Sequence, residues 1–352
     1  MMEYSKKGKK LFVKTGEDGE LGYVGQKDIF SQFYYYIVGY REAANTIIET
    51  ILKNQNNKDG KNSYMAQEDL NGAVPPVCFL YRQYLELALK GIYLEYTFDT
   101  EEVKIDFIKI TSHNLCKIWQ FAKPVLNDAI EGKEEENAME GLDAYIKEFN
   151  EKDPTSFLFR YPIDKDLNPM HPIETTINLK NIMECMNEIE EFLSGVLSIL
   201  DLKKADTQST NYRQEARQQR DNENYGKALE LFEKAITVRS ILKGTNHPDI
   251  AILHIEIAHT YLLQNDLKNA LIHYNMAIKL SEEGTYKNYP SLYIPYGKIG
   301  LIYHIQEDYP RALEYYEIAV IDCEKVLGED HPRTIEFRDD IYKIKKIIEE
   351  HL

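Results

Sequence analysis

The chain has 352 residues, 43% hydrophobic and 28% charged, with a formal net charge of −16. That composition describes a globular protein large enough for two cores, and its sign excludes the overall positive field of a non-specific nucleic-acid binder. No apolar run approaches the roughly 20 residues of a membrane span, and the lysine-rich first ten residues lack the apolar block of a secretory signal, so a cytoplasmic protein is expected.

Residues 1–27 read as an irregular segment, with glycines at 16, 19, 22 and 25. A first helix is predicted over 28–53 from the spacing of Phe30, Phe33, Ile37, Ala44, Ile48 and Ile51. Residues 54–72 are polar and read as a loop. A second helix starts near Pro75-Pro76 and runs to Tyr96. A third follows Thr111-Ser112, which can cap it, and carries Leu115, Trp119, Ala122 and Leu126 on one stripe. Residues 131–153 hold nine acids against three lysines, with a helix over 138–149. The extended stretch SFLFRYPIDKDLNPMHP comes next, then a helix over 179–200. The polar run 201–210 reads as a connection, with the linker at 206–210. Long helices joined this way predict an up-and-down bundle over 28–205.

The remainder repeats. His247-Pro248, Tyr289-Pro290 and His331-Pro332 are 42 residues apart. Ala228, Ala270 and Ala312 share that register, as do Phe232, Tyr274 and Tyr316, and Ala235, Ala277 and Ala319. Spacings of four and three put each set on one helical face. Ahead of each lies another helix with a small residue, Ala216, Ala258 or Gly300, where two helices must approach. Polar turns at 221–224, 264–266 and 306–308 separate the helices. A period in this range marks stacked repeats. The domain spans 211–352, with repeats at about 209–250, 251–292 and 293–334 and a cap at 335–352 whose polar face suits a chain end. The fold class is therefore all-α: a helical bundle, then a three-repeat superhelix with a C-terminal capping helix.

The segments NYGKALELFEKAITVRSILKGTNHPDIA, from Asn224, and DYPRALEYYEIAVIDCEKVLGEDHPRTI, from Asp308, make these repeats resemble the tetratricopeptide repeat (TPR) of the 42-residue kinesin-light-chain-like type. The resemblance implies protein binding in a concave groove lined by the first helix of each repeat. Carried over one by one, the groove positions are Arg213, Arg217 and Arg220, then Ile252, Ile255, His259 and Leu262, then Ile294, Gly297, Leu301 and His304. The groove grades from basic to apolar. Kinesin-light-chain-like repeats place consecutive asparagines where this sequence has Ile255-Glu256. Arg217 and Glu256 replace the asparagines of the chaperone-tail carboxylate clamp. Both departures argue against capture of an extended peptide. An apolar groove calls for a cover, whether the chain's own bundle, a second copy or a foreign protein. The arginine trio is either a solvated face near Glu215 and Glu223 or a site for an acidic peptide or phosphate.

The phrases VCFLYRQYLELALKGIYL, SHNLCKIW and SFLFRYPID resemble a helical domain of many bacterial proteins, akin to the HEPN class of RNases and nucleotide-binding modules. The class signature, Arg, four to six residues, then His, is absent. The nearest ordered pairs are Arg239/His247 and Arg160/His171, both too widely spaced, which argues against ribonuclease activity. In HEPN-type chemistry Arg82 and Arg160 would stabilise phosphate charge, and His113 would act as general acid or base. The structural reading pairs Arg82 with Glu86 at i,i+4, gives His113 to its turn and lets Arg160 bridge helices.

No phosphate loop, Rossmann fingerprint, HExxH, EF-hand or GxSxG elbow occurs. Cys78, Cys116, Cys185 and Cys323 show no metal or redox spacing and read as buried free thiols of a reducing cytosol. No cofactor, metal or membrane contact is expected. The expected function is TPR-mediated protein–protein interaction or self-association, with the bundle as a sensor or effector-linked module lacking catalysis of its own. The alternative is a HEPN-like RNase or nucleotide-binding module regulated by the repeats, with bacterial defence as its setting by family analogy alone. The net charge does not favour nucleic acid.

Overall fold

A computed structural model describes residues 29–56, 63–130, 132–170, 176–283 and 291–350. The segment 1–27, the Tyr289-Pro290 step and His171 lie outside the described residues. Within them are twelve helices and no strand. The chain divides into two units, Met1–Leu200 and Asp201–Leu352.

The first unit holds α1 (Ile29–Asn56), α2 (Ser63–Tyr96), α3 (Glu101–Thr111), α4 (Leu115–Asn127), α5 (Lys133–Lys152) and the first part of α6 (Leu179–Asp221). Its core joins Ala44 and Ile48 of α1 to Val77, Tyr81, Leu85 and Leu89 of α2. Leu115, Trp119, Ala122 and Leu126 of α4, Ile146 of α5 and Ile189 and Leu193 of α6 complete it. Three polar side chains tie α1 to its neighbours: the Tyr81 hydroxyl donates to Asn45 (2.5 Å), and Asn45 donates to Asn187 on α6 (3.2 Å).

Several boundaries differ from the sequence reading. Residues 63–72, expected in a loop, belong to α2, and the rest of that loop beyond α1 lies outside the described residues. Pro75 and Pro76 therefore sit inside a helix. Each removes the hydrogen bond to the carbonyl four residues earlier. Both prolines, together with Asn71 and Gly72, are exposed, so the freed carbonyls lie on the solvent side and the helix continues. Helix α3 was not anticipated. Only Phe107 and Thr111 of it are buried, while Val103, Ile105, Ile108 and Ile110 are exposed, which leaves no one-sided pattern to read. The cap of α4 is Asn114, whose side chain accepts from the Lys117 N–H at 2.8 Å. Thr111 instead donates back to the Phe107 carbonyl. Helix α5 is longer than the expected 138–149.

The second unit holds the rest of α6, then α7 (Tyr225–Lys243), α8 (Pro248–Leu263), α9 (Leu267–Glu283), α10 (Tyr293–Ile305), α11 (Tyr309–Leu327) and α12 (Pro332–Glu350). The linker expected at 206–210 does not exist as such, because α6 runs through it without a break. Its polarity suggested a connection, yet the run contains no Gly or Pro. Its polar groups are taken up by α7: Ser209 is buried and donates to the Ala235 carbonyl (3.0 Å), and Arg239 binds Asp206 and Thr210.

The repeat register is visible in the backbone. Glu223, Asn265 and Glu307, 42 residues apart, all have φ of 61°. Each is followed by a residue whose N–H returns to a carbonyl five positions back: Asn224 to Gln219, Asp266 to Tyr261, Asp308 to Tyr303. This closes the first helix of each pair and opens the second. The histidines of the His-Pro steps cap the next helix, His247 accepting from the Asp249 N–H and His331 from the Arg333 N–H. All the in-register alanines, Phe232 and Tyr274 are fully buried, and Tyr316 nearly so. A methyl group on Gly300 would lie 3.0 Å from the Tyr316 ring, and one on Gly297 would lie 2.4 Å from Phe337 of α12.

Replacing Gly297 by Ala sets about 1 kcal/mol of helix propensity gained against about 1–3 kcal/mol of overpacking beneath the capping helix. The expected outcome in urea denaturation is a net loss of stability for Gly297→Ala, recovered when Phe337→Leu is added. A stabilised single variant would show that the cap does not rest on this contact.

Candidate functional site

In the second unit the first helices of successive repeats are the end of α6, α8 and α10, with α12 following. The 42-residue register aligns Arg213 with Ile255 and Gly297, Arg217 with His259 and Leu301, and Glu256 with Lys298 and Asp340. Arg213, Arg217 and Arg220 share one α6 face, and all three converge on Glu256 of α8. Arg213 Nη2 lies 3.3 Å from Glu256 Oε1, Arg217 Nε 2.8 Å from the same oxygen, and Arg220 Nη1 2.7 Å from Oε2. Arg217 adds a second bond through Nη2. Burial works to raise the Glu256 carboxyl, but Arg217 and Arg220 outweigh it and hold it below the usual carboxylate range. The trio is therefore neither free nor paired with Glu215 or Glu223. It is an ion cluster bridging two repeats.

Basic side chains continue beyond it, with Arg333 paired to Glu336 at 2.6 Å. Burial, then Arg220 and Lys298, lower the pKa of His259. Burial, then Arg333, lower that of Lys298, with Glu336 opposing. Arg220, His259, Lys298 and Arg333 are thus successive electrostatic neighbours. Ile294, Leu301, Lys298 and Arg333 line a small pocket with Glu336 and Asp340. The third repeat is accordingly charged where the sequence reading made it apolar. Lys298 was missed although it lies four after Ile294 and three before Leu301, and so shares their face.

Other groove positions vary. Ile252, Ile255, Leu262 and Leu301 are half-buried, with Ile255 and Leu262 packed on the second repeat's core and Leu301 on the last. Ile294 is exposed. Gly297 is buried under Phe337 and presents nothing. His304 meets Tyr309 edge-on at 6.0 Å.

Residues 207–283 match a family model of the tetratricopeptide repeat, and residues 296–333 match a second one. The C-terminal unit carries tetratricopeptide repeats. No curated protein matches the chain. Among the described residues no helix is long and apolar enough to cross a membrane, and no three His, Cys, Asp or Glu side chains are grouped to hold a metal. All four cysteines are free thiols. Cys78 and Cys323 are buried and Cys116 and Cys185 half-buried.

The second TPR also holds a histidine pair between its two helices. His254 Nδ1 and His273 Nδ1 are 3.0 Å apart, and Tyr261 stacks on His273 at 5.6 Å. The next repeat has Tyr296, Tyr315 and Tyr303 at the corresponding positions, with Tyr303 stacked on Tyr315 at 5.5 Å. Burial, then His273, push His254 down to about 4. Burial also lowers His273, against Glu233.

In the bundle, Arg82 is fully buried. It binds Glu86 at 2.8 Å, the Asp153 carbonyl at 3.1 Å and the His113 carbonyl. Glu86 also takes Lys90 at 2.8 Å and His113 Nδ1 at 2.9 Å, and Lys90 donates to the Ser112 carbonyl. Burial would raise the Glu86 carboxyl, but Lys90, His113 and Arg82 together hold it low. The fold thus brings Arg82 and His113 together on one carboxylate, and Arg82 has no surface left for a ligand. Arg160 is exposed and lies over the rings of Phe157 (4.9 Å), Tyr161 (5.6 Å) and Phe79 (5.8 Å). Of the widely spaced Arg/His pairs, Arg239 is paired with Asp206 and Asp249, and His247 caps α8.

Two outcomes follow from these clusters. Glu86→Ala leaves Arg82 and Lys90 with only the buried Asp153 carboxylate, 3.6 Å from Arg82 Nε, and costs about 3–5 kcal/mol, measurable as a shifted urea midpoint. For His254 the folded pKa of about 4 lies below the unfolded value of about 6.5. Its contribution is therefore complete above about pH 6.5 and is lost as pH falls from there toward about 4. Protection factors in α8 and α9, corrected for the intrinsic pH dependence of amide exchange, should fall between pH 7 and 5 in the full chain, and His254→Tyr should reduce that fall.

Proposed function

We propose that this chain is a non-catalytic interaction protein whose TPR groove recruits a partner protein through an acidic segment. The observation that carries the proposal is the arginine trio. Three guanidinium groups share the single carboxylate of Glu256, and Lys298 lies beyond them past His259, whose lowered pKa leaves it a neutral imidazole. Buried or half-buried charge of one sign draws the opposite sign and selects against like-charged partners. The 42-residue spacing supports assigning the repeats to the kinesin-light-chain-like type. The Ile255-Glu256 pair, in place of asparagines, supports recognition by charge rather than by backbone hydrogen bonds. For the bundle, the engagement of Arg82 and His113 on Glu86 supports a scaffolding role, and nothing favours the HEPN nuclease alternative. Four free thiols fit a reducing, cytosolic setting.

The test uses a synthetic glutamate-rich peptide and the full chain. Binding by fluorescence polarisation should weaken as salt rises. Arg217→Glu, at a position 44% exposed, should lower affinity about tenfold or more, the scale of a lost and inverted charge contact, with helical circular dichroism unchanged. Undiminished binding by that variant would remove the groove from the proposal.

A further inference from the structure

Resting on that reading, we infer that the arginine end of the groove is a receptor for a phosphorylated side chain of a partner protein, a dianionic phosphate monoester rather than a lone carboxylate. The first argument is charge. Three guanidinium groups against one ionised Glu256 leave two positive charges, and a phosphate monoester supplies about two negative ones at neutral pH. Asp221 is the other acid at the cluster, 3.7 Å from Arg220, but its side chain is 74% exposed and therefore largely screened.

Geometry supplies the second argument. Glu256 is 12% exposed and Arg220 10%, whereas Arg213 is 33% and Arg217 44% exposed. The carboxylate forms the floor of the cluster, and the Arg213 and Arg217 forks stand at its mouth. Glu256 takes four hydrogen bonds from guanidinium groups that carry roughly fifteen N–H donors between them. Converging forks suit an oxyanion with three equivalent oxygens better than a planar carboxylate with two.

Unmet donors are the third argument. Arg213 Nε and Arg220 Nε are buried with no hydrogen-bond partner, Arg220 Nε facing only the exposed Asp221 carboxylate at 3.7 Å, and the hydroxyl of Tyr274 is likewise unpartnered. Tyr274 is fully buried and lies within electrostatic reach of both Arg220 and Glu256. Buried donors in folded proteins are seldom left without acceptors, so this cluster is short of acceptor oxygens as well as of negative charge. Arg220 is further fixed by the face of Phe232, 5.9 Å away, so the receptor is preorganised.

The experiment is calorimetric titration of the full chain with four probes. They are a capped alanine peptide with one central phosphoserine, the same peptide with glutamate, the same with the methyl diester of phosphoserine, and inorganic phosphate. The expected result is phosphoserine binding about tenfold or more tighter than either monoanionic peptide. Arg217→Ala and Arg213→Ala should each remove most of that preference. Arg338→Ala, at a surface ion pair with Glu324, should leave it intact. Equal affinity for the three peptides, or a preference that survives Arg217→Ala, would overturn the inference. Inorganic phosphate binding as tightly as the phosphopeptide would overturn its protein-borne part. A glutamate-rich peptide that still needs Arg217 while phosphoserine gains nothing sinks this inference and leaves the groove standing. Absence of binding by all four probes sinks this inference, and absence of binding by the glutamate-rich peptide as well sinks both.

Discussion

The second unit depends on one arrangement repeated in register, an aromatic ring of a second helix and a small residue of a first helix buried in the same core. Gly300 lies 3.0 Å, measured from where a Cβ would be, from the ring of Tyr316, and Ala216 with Phe232 and Ala258 with Tyr274 share cores in the same register. A larger side chain on the first helix would force the pair apart, because packed interiors have no slack for even a methylene. The left-handed residues Glu223, Asn265 and Glu307 set the turn that makes each contact. With the second helices held this way, one face of α6, α8 and α10 stays partly exposed, and its charged side chains bond from repeat to repeat.

What the freed face does with its charge is set between repeats. An arginine on one repeat and a carboxylate on the next form a bond that neither repeat makes alone. Stacked repeats are stabilised by such nearest-neighbour terms, and the Glu256 cluster adds a polar one to the apolar ones. Taking four charged groups partly out of water opposes folding. The excess of guanidinium over carboxylate makes this cluster a poor device for stability alone and a better one for holding an anion.

The bundle uses a similar device inwardly. Arg82, Glu86 and Lys90, each four residues apart, point into a seam lined by the carbonyls of Ser112, His113 and Asp153, to which the two cations donate. The Glu86 and Asp153 carboxylates together balance the two cations. Asp153 in turn accepts from the N–H groups of Phe157 and Leu158, and Gln83 donates to Ser156, which anchors the loop bearing Arg160 to α2. A residue set that reads in sequence as catalytic raw material is consumed in joining irregular backbone to a helix.

By itself the sequence determined the helical class, the period of 42, the small and aromatic positions and the arginine face. All of these are local or periodic, and one helix face or one turn suffices to express them. It also held the i,i+4 pairing of Arg82 with Glu86. Only the tertiary structure decided that α6 runs through the polar run at 201–210, because the partners of Asp206 and Ser209 lie on α7, about thirty residues away in the chain. Only it decided that Glu256 gathers the arginines and that Gly297 is covered by Phe337. Each of those depends on which side chains from distant repeats share a few ångström, and a period cannot report a charge that differs from repeat to repeat.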